Sequence, residues 1–303
     1  MDKSPLKKLQ YLLEYFGYRL IEFFAAYLPE ILLIPKANFF AFLTFHILKI
    51  RRDVSLENLR IAFPEKSEKE RVTIAYGSYK HFALMMMEFM RLIRWTPEQL
   101  QKMVELESGE IMKKLKQGDK GVIINSAHFG NWEILVSYFS EFWMSSTGVQ
   151  QKQKNPYINK RMAEHRNRWG MEIIYSRGAI KNSLKALRQK RMIGLLGDQD
   201  GGEDGVFVPF FGKIASTPPG PALIHVKSQA PIAFAYAIRV GKFKFRLGVE
   251  PLNIDNNFEY SEENLKLITR AYLEILEKYI RQYPEQYFWM HRRWKTPYVE
   301  KQN

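Results

Sequence analysis

The sequence predicts an α/β protein, with a mostly parallel central sheet flanked by helices and an N-terminal helical segment associated with a membrane. Two observations carry that reading. From Met103 onward, short apolar runs alternate with amphipathic stretches, the rhythm of strands and crossover helices around a parallel sheet. Ahead of them, residues 16–50 form a block crowded with Phe, Leu and Ile. No internal repeat or low-complexity linker intervenes, so the chain divides into an apolar helical segment at 1–50 and one compact domain at 51–303.

Taken in order, Arg19, Glu22, Pro29, Glu30, Pro35 and Lys36 break the apolar block into runs shorter than the roughly 20 residues of a spanning helix. The block is therefore expected to lie on a membrane, with a buried helical hairpin as the alternative. Arg51 and Arg52 follow it, as basic residues do at an anionic cytoplasmic surface. Helices are expected on both sides of Pro64, the second opened by a capping box of Ser67 and Glu70. Met85, Met86, Met87 and Met90 on it read chiefly as core, although thioethers also suit an acyl chain. Beyond Met103 come "GVIINSA" as strand and "NWEILVSYFSEFW" as helix, then "MEIIYS" and "AIKNSLKALRQK", then "RMIGLLG" and a Gly-rich loop. "STPPGPALIH" opens a helix with Thr217 as its cap. Two strand-like runs meeting at Gly241 predict an antiparallel pair at the sheet edge, and a long helix closes the pattern over 261–282.

Forty-six Lys and Arg against 32 Asp and Glu give a formal charge of +14, which points to anionic partners: nucleic acid, lipid headgroups or an acidic carrier protein. Nucleic acid lacks a recognisable motif with interleaved aromatics. The absence of Cys excludes disulfides, thiolate metal sites and a cysteine nucleophile. The six His, at 46, 81, 128, 165, 225 and 291, lack the close spacing of a zinc helix, so no metal is expected. No G-x-S-x-G elbow, phosphate-binding loop or dinucleotide fingerprint occurs. "DQDGGEDG" fails as a calcium loop, because Glu203 and Pro209 stand at its sixth and twelfth positions.

Ligands of open α/β sheets gather beyond the carboxyl ends of the strands, where "NSAHFGNWE", "YSRGAIK" and "GDQDGGEDG" fall. In the first, His128 and Glu133 are five residues apart, which on a regular helix separates them by about 140°. They can meet only if His128 precedes the helix and Gly130 allows the bend. A carboxylate on one imidazole nitrogen fixes the tautomer and leaves the other nitrogen free to take a proton from a hydroxyl. That is half of an acyl-transfer site that has no covalent nucleophile.

Together, "RRDVSLENLRIAFPEKSEKER", "NSAHFGNWE", "GMEIIYSRGAIKNSLKALR", the block from "LLGDQDGGEDGVFVPFFG" through "STPPGPALIHVKSQ", and "FWMHRRWKTP" resemble the lipid A biosynthesis acyltransferases. These are lauroyl and myristoyl transferases of Gram-negative lipopolysaccharide assembly, within the lysophospholipid and glycerol-phosphate acyltransferase-like superfamily. The resemblance runs in order over nearly the whole chain. It implies an enzyme at the cytoplasmic face of the inner membrane that moves a fatty acyl group onto a hydroxyl of a lipid A precursor. The donor would be an acyl carrier protein or coenzyme A thioester, with no further cofactor. By the same resemblance His128 is the general base and Glu133 its partner. The N-terminus is less continuously hydrophobic than is usual in that family. Other readings are an acyltransferase for another membrane glycolipid or phospholipid, a hydrolase, and a non-catalytic lipid-binding protein of the membrane surface.

Residue by residue, Arg177 with Gly178 at a helix start suits a phosphate of the acceptor, or is an exposed strand-end arginine. Asp198, Gln199 and Asp200 either orient Arg177 and the acceptor or cap a turn; Asn131 joins the substrate-binding set. Backbone amides of the turn from Phe129 to Asn131 are placed to receive an oxyanion. Phe207, Pro209, Phe210 and Phe211 wall an acyl groove or fill the core, and "HRRWK" from His291 grips phosphates or forms a solvated basic tail.

Overall fold

The computed structural model describes residues 4–252, 254 and 258–299. Helices α1 (Pro5–Tyr27), α2 (Glu30–Phe42, prolonged by a π turn Leu43–Ile47), α3 (Arg52–Ala62) and α4 (Glu68–Arg91) come first. Ser67 caps α4 with the reciprocal Glu70 bond that its sequence predicts. After α5 (Pro97–Met103), β1 (Val104–Leu106) and α6 (Gly109–Lys116) comes the alternation: β2 (Ile123–Ser126), α7 (Trp132–Phe142), β3 (Ser146–Gln150), α8 (Pro156–Asn167), β4 (Met171–Tyr175), α9 (Ala179–Arg188) and β5 (Met192–Leu196). The chain then forms a separate hairpin, β6 (Val206–Phe210) and β7 (Lys213–Thr217), followed by α10 (Gly220–Ser228), β8 (Ile232–Gly241), β9 (Lys244–Pro251) and α11 (Glu262–Gln282).

The seven-stranded sheet has the order β1-β9-β8-β2-β5-β3-β4, with every pair parallel except β8 with β9. Strand alternation sends side chains to two cores. Ile123, Ile193, Phe234 and Tyr236 face α9, α10 and α11, while Ile124, Met192, Ala233 and Ala235 face α7 and α4. The sheet is thus covered on both faces, as parallel strands require.

Four points change or decide between the expectations. The antiparallel pair is present but not at the edge, because β1 pairs with β9 and takes that place. β3 has no apolar run to announce it; it is a strand because β5 and β4 pair on either side. The aromatic block is a hairpin rather than a groove wall: Phe210 stacks on Trp294, and Phe211 meets Phe63 and Trp289. Thr217 ends β7 and accepts a bond from Arg293 at 2.7 Å, while α10 starts at Gly220 with Pro219 as its cap.

In the N-terminal segment α2 carries Pro35 inside the helix, and Glu30–Ile47 is long and apolar enough to cross a membrane by length and composition. Only its narrow seam of Leu33, Ala37, Ala41 and Phe45 is buried. Phe16, Phe23, Phe24 and Leu13 of α1, with Phe39 and Ile31 of α2, are exposed, an apolar expanse that calls for a non-aqueous neighbour. Glu22, Ala25 and Ala26 of α1 point the other way, and Glu22 bonds Arg161 of α8 at 2.9 Å and His165 beside it.

α4 is pinned to the sheet by two buried polar side chains. The Glu88 carboxylate takes both terminal nitrogens of Arg239 on β8, at 2.7 and 2.5 Å, and the Asn131 amide at 2.8 Å. Removing one partner of such a pair leaves an uncompensated charge, so Glu88→Ala is expected to lower the unfolding free energy by about 3–5 kcal/mol. An unchanged urea midpoint would contradict this. His81 of α4 meets the Gly130 carbonyl at 2.9 Å, and burial, with Arg239 nearby, lowers its pKa to about 3. Unfolded, the same imidazole takes its proton near pH 6.5. The unfolded chain therefore binds that proton first, and His81 costs stability progressively as pH falls from about 6.5 to about 3. His81→Gln, which keeps a donor for the carbonyl, should flatten that part of the stability profile; an identical slope in the two proteins would refute the assignment.

Candidate active site

β2 and β5 lie side by side with Ser126 opposite Leu196. Two residues beyond that register in each strand stand His128 and Asp198, and they touch: Nδ1 of His128 lies 2.8 Å from Oδ1 of Asp198. The Asp198 side chain is 2% exposed and that of His128 22%, so the carboxylate is covered while the imidazole keeps an open edge. Burial pushes the Asp198 carboxyl up, but the His128 imidazole, its hydrogen bonds and Arg293 outweigh this and hold it below the usual carboxylate range. An anionic Asp198 accepts a proton-bearing Nδ1, which leaves the lone pair of His128 on Nε2. That nitrogen meets the Gln199 side-chain amide at 3.3 Å.

The turn after β2 has the predicted shape. His128 precedes α7, Glu133 lies in the first turn of that helix, and Gly130 between them has φ +59°. A Cβ there would collide with the Ala237 carbonyl, so the position requires glycine both for φ and for space. The tail of the chain clamps the same turn: the Phe288 amide donates to the His128 carbonyl and the Gly130 amide to that of Gln286, both at 2.9 Å.

The expected bond between Glu133 and His128 is absent. Glu133 instead binds Arg166 of α8 through both oxygens, at 2.5 and 3.1 Å, and accepts from the Trp132 indole at 3.2 Å. The helix start turns Glu133 toward α8, and the sheet register supplies His128 with Asp198 in its place. Asn131 is also corrected. It is wholly buried, caps α7 by accepting from Ile134 at 3.1 Å and donates to Glu88, so both ends of its amide are engaged within the protein. Two of the three turn amides expected to receive an oxyanion are similarly occupied, Gly130 by Gln286 and Asn131 by the Ala237 carbonyl at 2.8 Å.

Asp200 is held by the tail. Its carboxylate accepts from the Thr296 hydroxyl at 2.9 Å and amide at 3.1 Å, and its own amide donates to Nε2 of His291 at 2.9 Å. Within "HRRWK", Arg293 is buried and braces β7, while Arg292 and Lys295 are exposed. Arg177 is exposed in the turn after β4, next to Ser176.

His128, Glu133, Gln199, Asp200 and Ser176 all line one cavity of about 480 Å³. It continues between α7 and the sheet along Leu135, Val136, Phe139, Met162, Met171 and Met192. Gly194 lines it, while the space over Gly148, its register partner on β3, is taken by the Met171 side chain. Met86 reaches this cavity, whereas Met85, Met87 and Met90 are core. Sequence reasoning missed Arg166, which lies far along the chain from Glu133 and follows no motif. Asp198 was found but given the wrong neighbour; its signal was that two parallel strands end in His-x and Asp-x turns at the same level. Among the described residues, no group of three or more His, Asp or Glu is placed to hold a metal ion.

Residues 2–296 match the family model described as bacterial lipid A biosynthesis acyltransferase. The chain is 24% identical over 255 residues to the lipid A biosynthesis palmitoleoyltransferase of Escherichia coli K12, covering 82% of this chain and 80% of that one. It is 25% identical over 258 residues to the lauroyltransferase of the same organism, with 84% and 82% covered. It is 26% identical over 250 residues to the myristoyltransferase, with 82% and 76% covered. The match spans α1 through the tail that clamps His128, and the chain belongs to the bacterial lipid A biosynthesis acyltransferases.

Proposed function

We propose that this acyltransferase moves a fatty acyl group from an acyl carrier protein or coenzyme A thioester onto a hydroxyl of a lipid A precursor, with His128 as general base. The observation that carries the proposal is the His128–Asp198 pair, whose imidazole lines a cavity that also has an apolar wall of Leu135, Val136, Phe139, Met162, Met171 and Met192. Nε2 of His128 takes the hydroxyl proton as the oxygen attacks the thioester carbonyl. Asp198 stabilises the imidazolium that forms, and the imidazolium then returns the proton to the departing thiolate. The acyl chain runs under α7 between Phe139, Met171 and Met192.

Glu133 enters this reading as a positioning residue. Its paired contact with Arg166 ties α8 to the start of α7, the two helices whose side chains wall the cavity. Arg177, exposed beside cavity-lining Ser176, is the proposed contact for a phosphate of the acceptor. The exposed apolar sides of α1 and α2 would rest in the cytoplasmic leaflet of the inner membrane, so that the acceptor reaches the site without leaving the bilayer.

The test is product analysis with full-length protein in mixed micelles, supplied with a lipid A precursor and with carrier or coenzyme A thioesters in separate arms. Acylated lipid is expected; free fatty acid alone would indicate a hydrolase, and tight lipid binding without turnover a non-catalytic protein. His128→Ala should lower the transfer rate by about a hundredfold or more, with unchanged circular dichroism; transfer at the parental rate would exclude His128 as the base. Arg177→Ala should raise the acceptor KM while sparing kcat, and an unchanged KM would remove Arg177 from the acceptor site.

A further inference from the structure

We infer that Gln199 is a catalytic residue with two successive roles: at rest its side-chain amide covers the basic nitrogen of His128, and once an acceptor hydroxyl displaces it, the same N–H group donates to the oxyanion on the thioester carbonyl. The inference rests on the acyl-transfer reading above.

The first role follows from the tautomer. With Nδ1 donating to buried Asp198, Nε2 of His128 has only a lone pair to offer, so the 3.3 Å contact is an N–H of Gln199 pointing at the base. A hydroxyl about to lose its proton must stand about 2.6–3.2 Å from that nitrogen, on the same lone pair. Acceptor and Gln199 amide exclude one another there, so productive binding moves the amide aside.

The second role follows from what surrounds it. The residues on both sides of Gln199 are held: the Asp198 carboxylate by His128, the Asp200 carboxylate by Thr296 and the Gly202 amide at 3.3 Å, and the Asp200 amide by His291. The Gln199 side chain itself has no other hydrogen bond among the described residues, so it is the mobile group on a clamped stretch. It lines the cavity together with His128, and a displaced amide therefore stays beside the incoming carbonyl. Four neighbouring donors are engaged: the Gly130 and Asn131 amides by carbonyls, the Ile134 amide by Asn131 and the Trp132 indole by Glu133.

The step balances without changing the protonation of Gln199. The hydroxyl oxygen bonds to the carbonyl carbon, its proton moves to Nε2, and the C=O pair moves onto the oxygen that faces the amide. Collapse restores the carbonyl and breaks the C–S bond, and the thiolate takes the proton from the imidazolium.

Gln199→Met, of similar length but without a donor, and Gln199→Ala would be assayed as full-length proteins beside His128→Ala. The probes are lauroyl, myristoyl and palmitoleoyl thioesters of acyl carrier protein, with a lipid A precursor in micelles. Loss of an oxyanion donor predicts kcat lower by about 10²–10³-fold in both Gln199 variants, with the donor KM little changed, the acceptor KM lowered because the base is no longer covered, and thermal melting preserved. If Gln199 only covers the base, its removal leaves kcat unchanged or raised and lowers the acceptor KM; that outcome overturns the inference. Should the alanine variant melt early, the methionine variant decides alone. An inactive His128→Ala beside fully active Gln199 variants rejects this inference and leaves the general-base reading standing, whereas an active His128→Ala rejects that reading itself.

Discussion

An imidazole can act as a base toward a substrate only through a nitrogen that carries a lone pair, and something must hold its proton on the other nitrogen. In this protein a buried carboxylate does so, and its placement depends on strand register. Ser126 stands opposite Leu196 in adjacent parallel strands, so the turns that follow bring His128 and Asp198 to the same level. A slip of one residue would send one of them to the opposite face of the sheet. The fold therefore encodes the site through the pairing of β2 with β5, and much of the remaining structure serves to hold the two turns still.

That support comes from three directions. The tail lies antiparallel to the His128 turn and also grips Asp200 through Thr296 and His291. From α4, His81 and Glu88 reach the same turn on its other side, through the Gly130 carbonyl and Asn131. From α8, Arg166 holds Glu133, and on the same helix Arg161 and His165 hold Glu22 of α1. The apolar N-terminal helix is thereby joined by polar contacts to a helix that walls the cavity beside His128. Buried ion pairs are costly to desolvate, and here several converge on one turn of chain.

The α/β class, the succession of β2, β4, β5, β8 and β9 with their helices, and the capping box of α4 were legible because each rests on local periodicity or a local pair of residues. β3 was not, since "STGVQ" becomes a strand only through its two neighbours. The bend at Gly130 was legible from the geometry of a five-residue spacing. The partner of His128 was not, because a sequence shows that Glu133 is near in the chain and conceals that Asp198, 70 residues away, is nearer in space. Asn131 misled for a related reason: a polar residue beside the His128 turn reads as a ligand contact until its two buried partners are seen.

The central claim is that Asp198, and not Glu133, fixes the His128 tautomer so that Nε2 is the basic nitrogen. Nitrogen-15 NMR of the histidine-labelled protein in detergent micelles, with the His128 signal assigned by its loss in His128→Gln, tests this directly. The account predicts a protonated Nδ1 and an unprotonated Nε2 in the neutral imidazole, with that preference lost in Asp198→Asn and kept in Glu133→Gln. A proton found on Nε2 in the parent protein, or a tautomer that responds to Glu133→Gln and ignores Asp198→Asn, would contradict it.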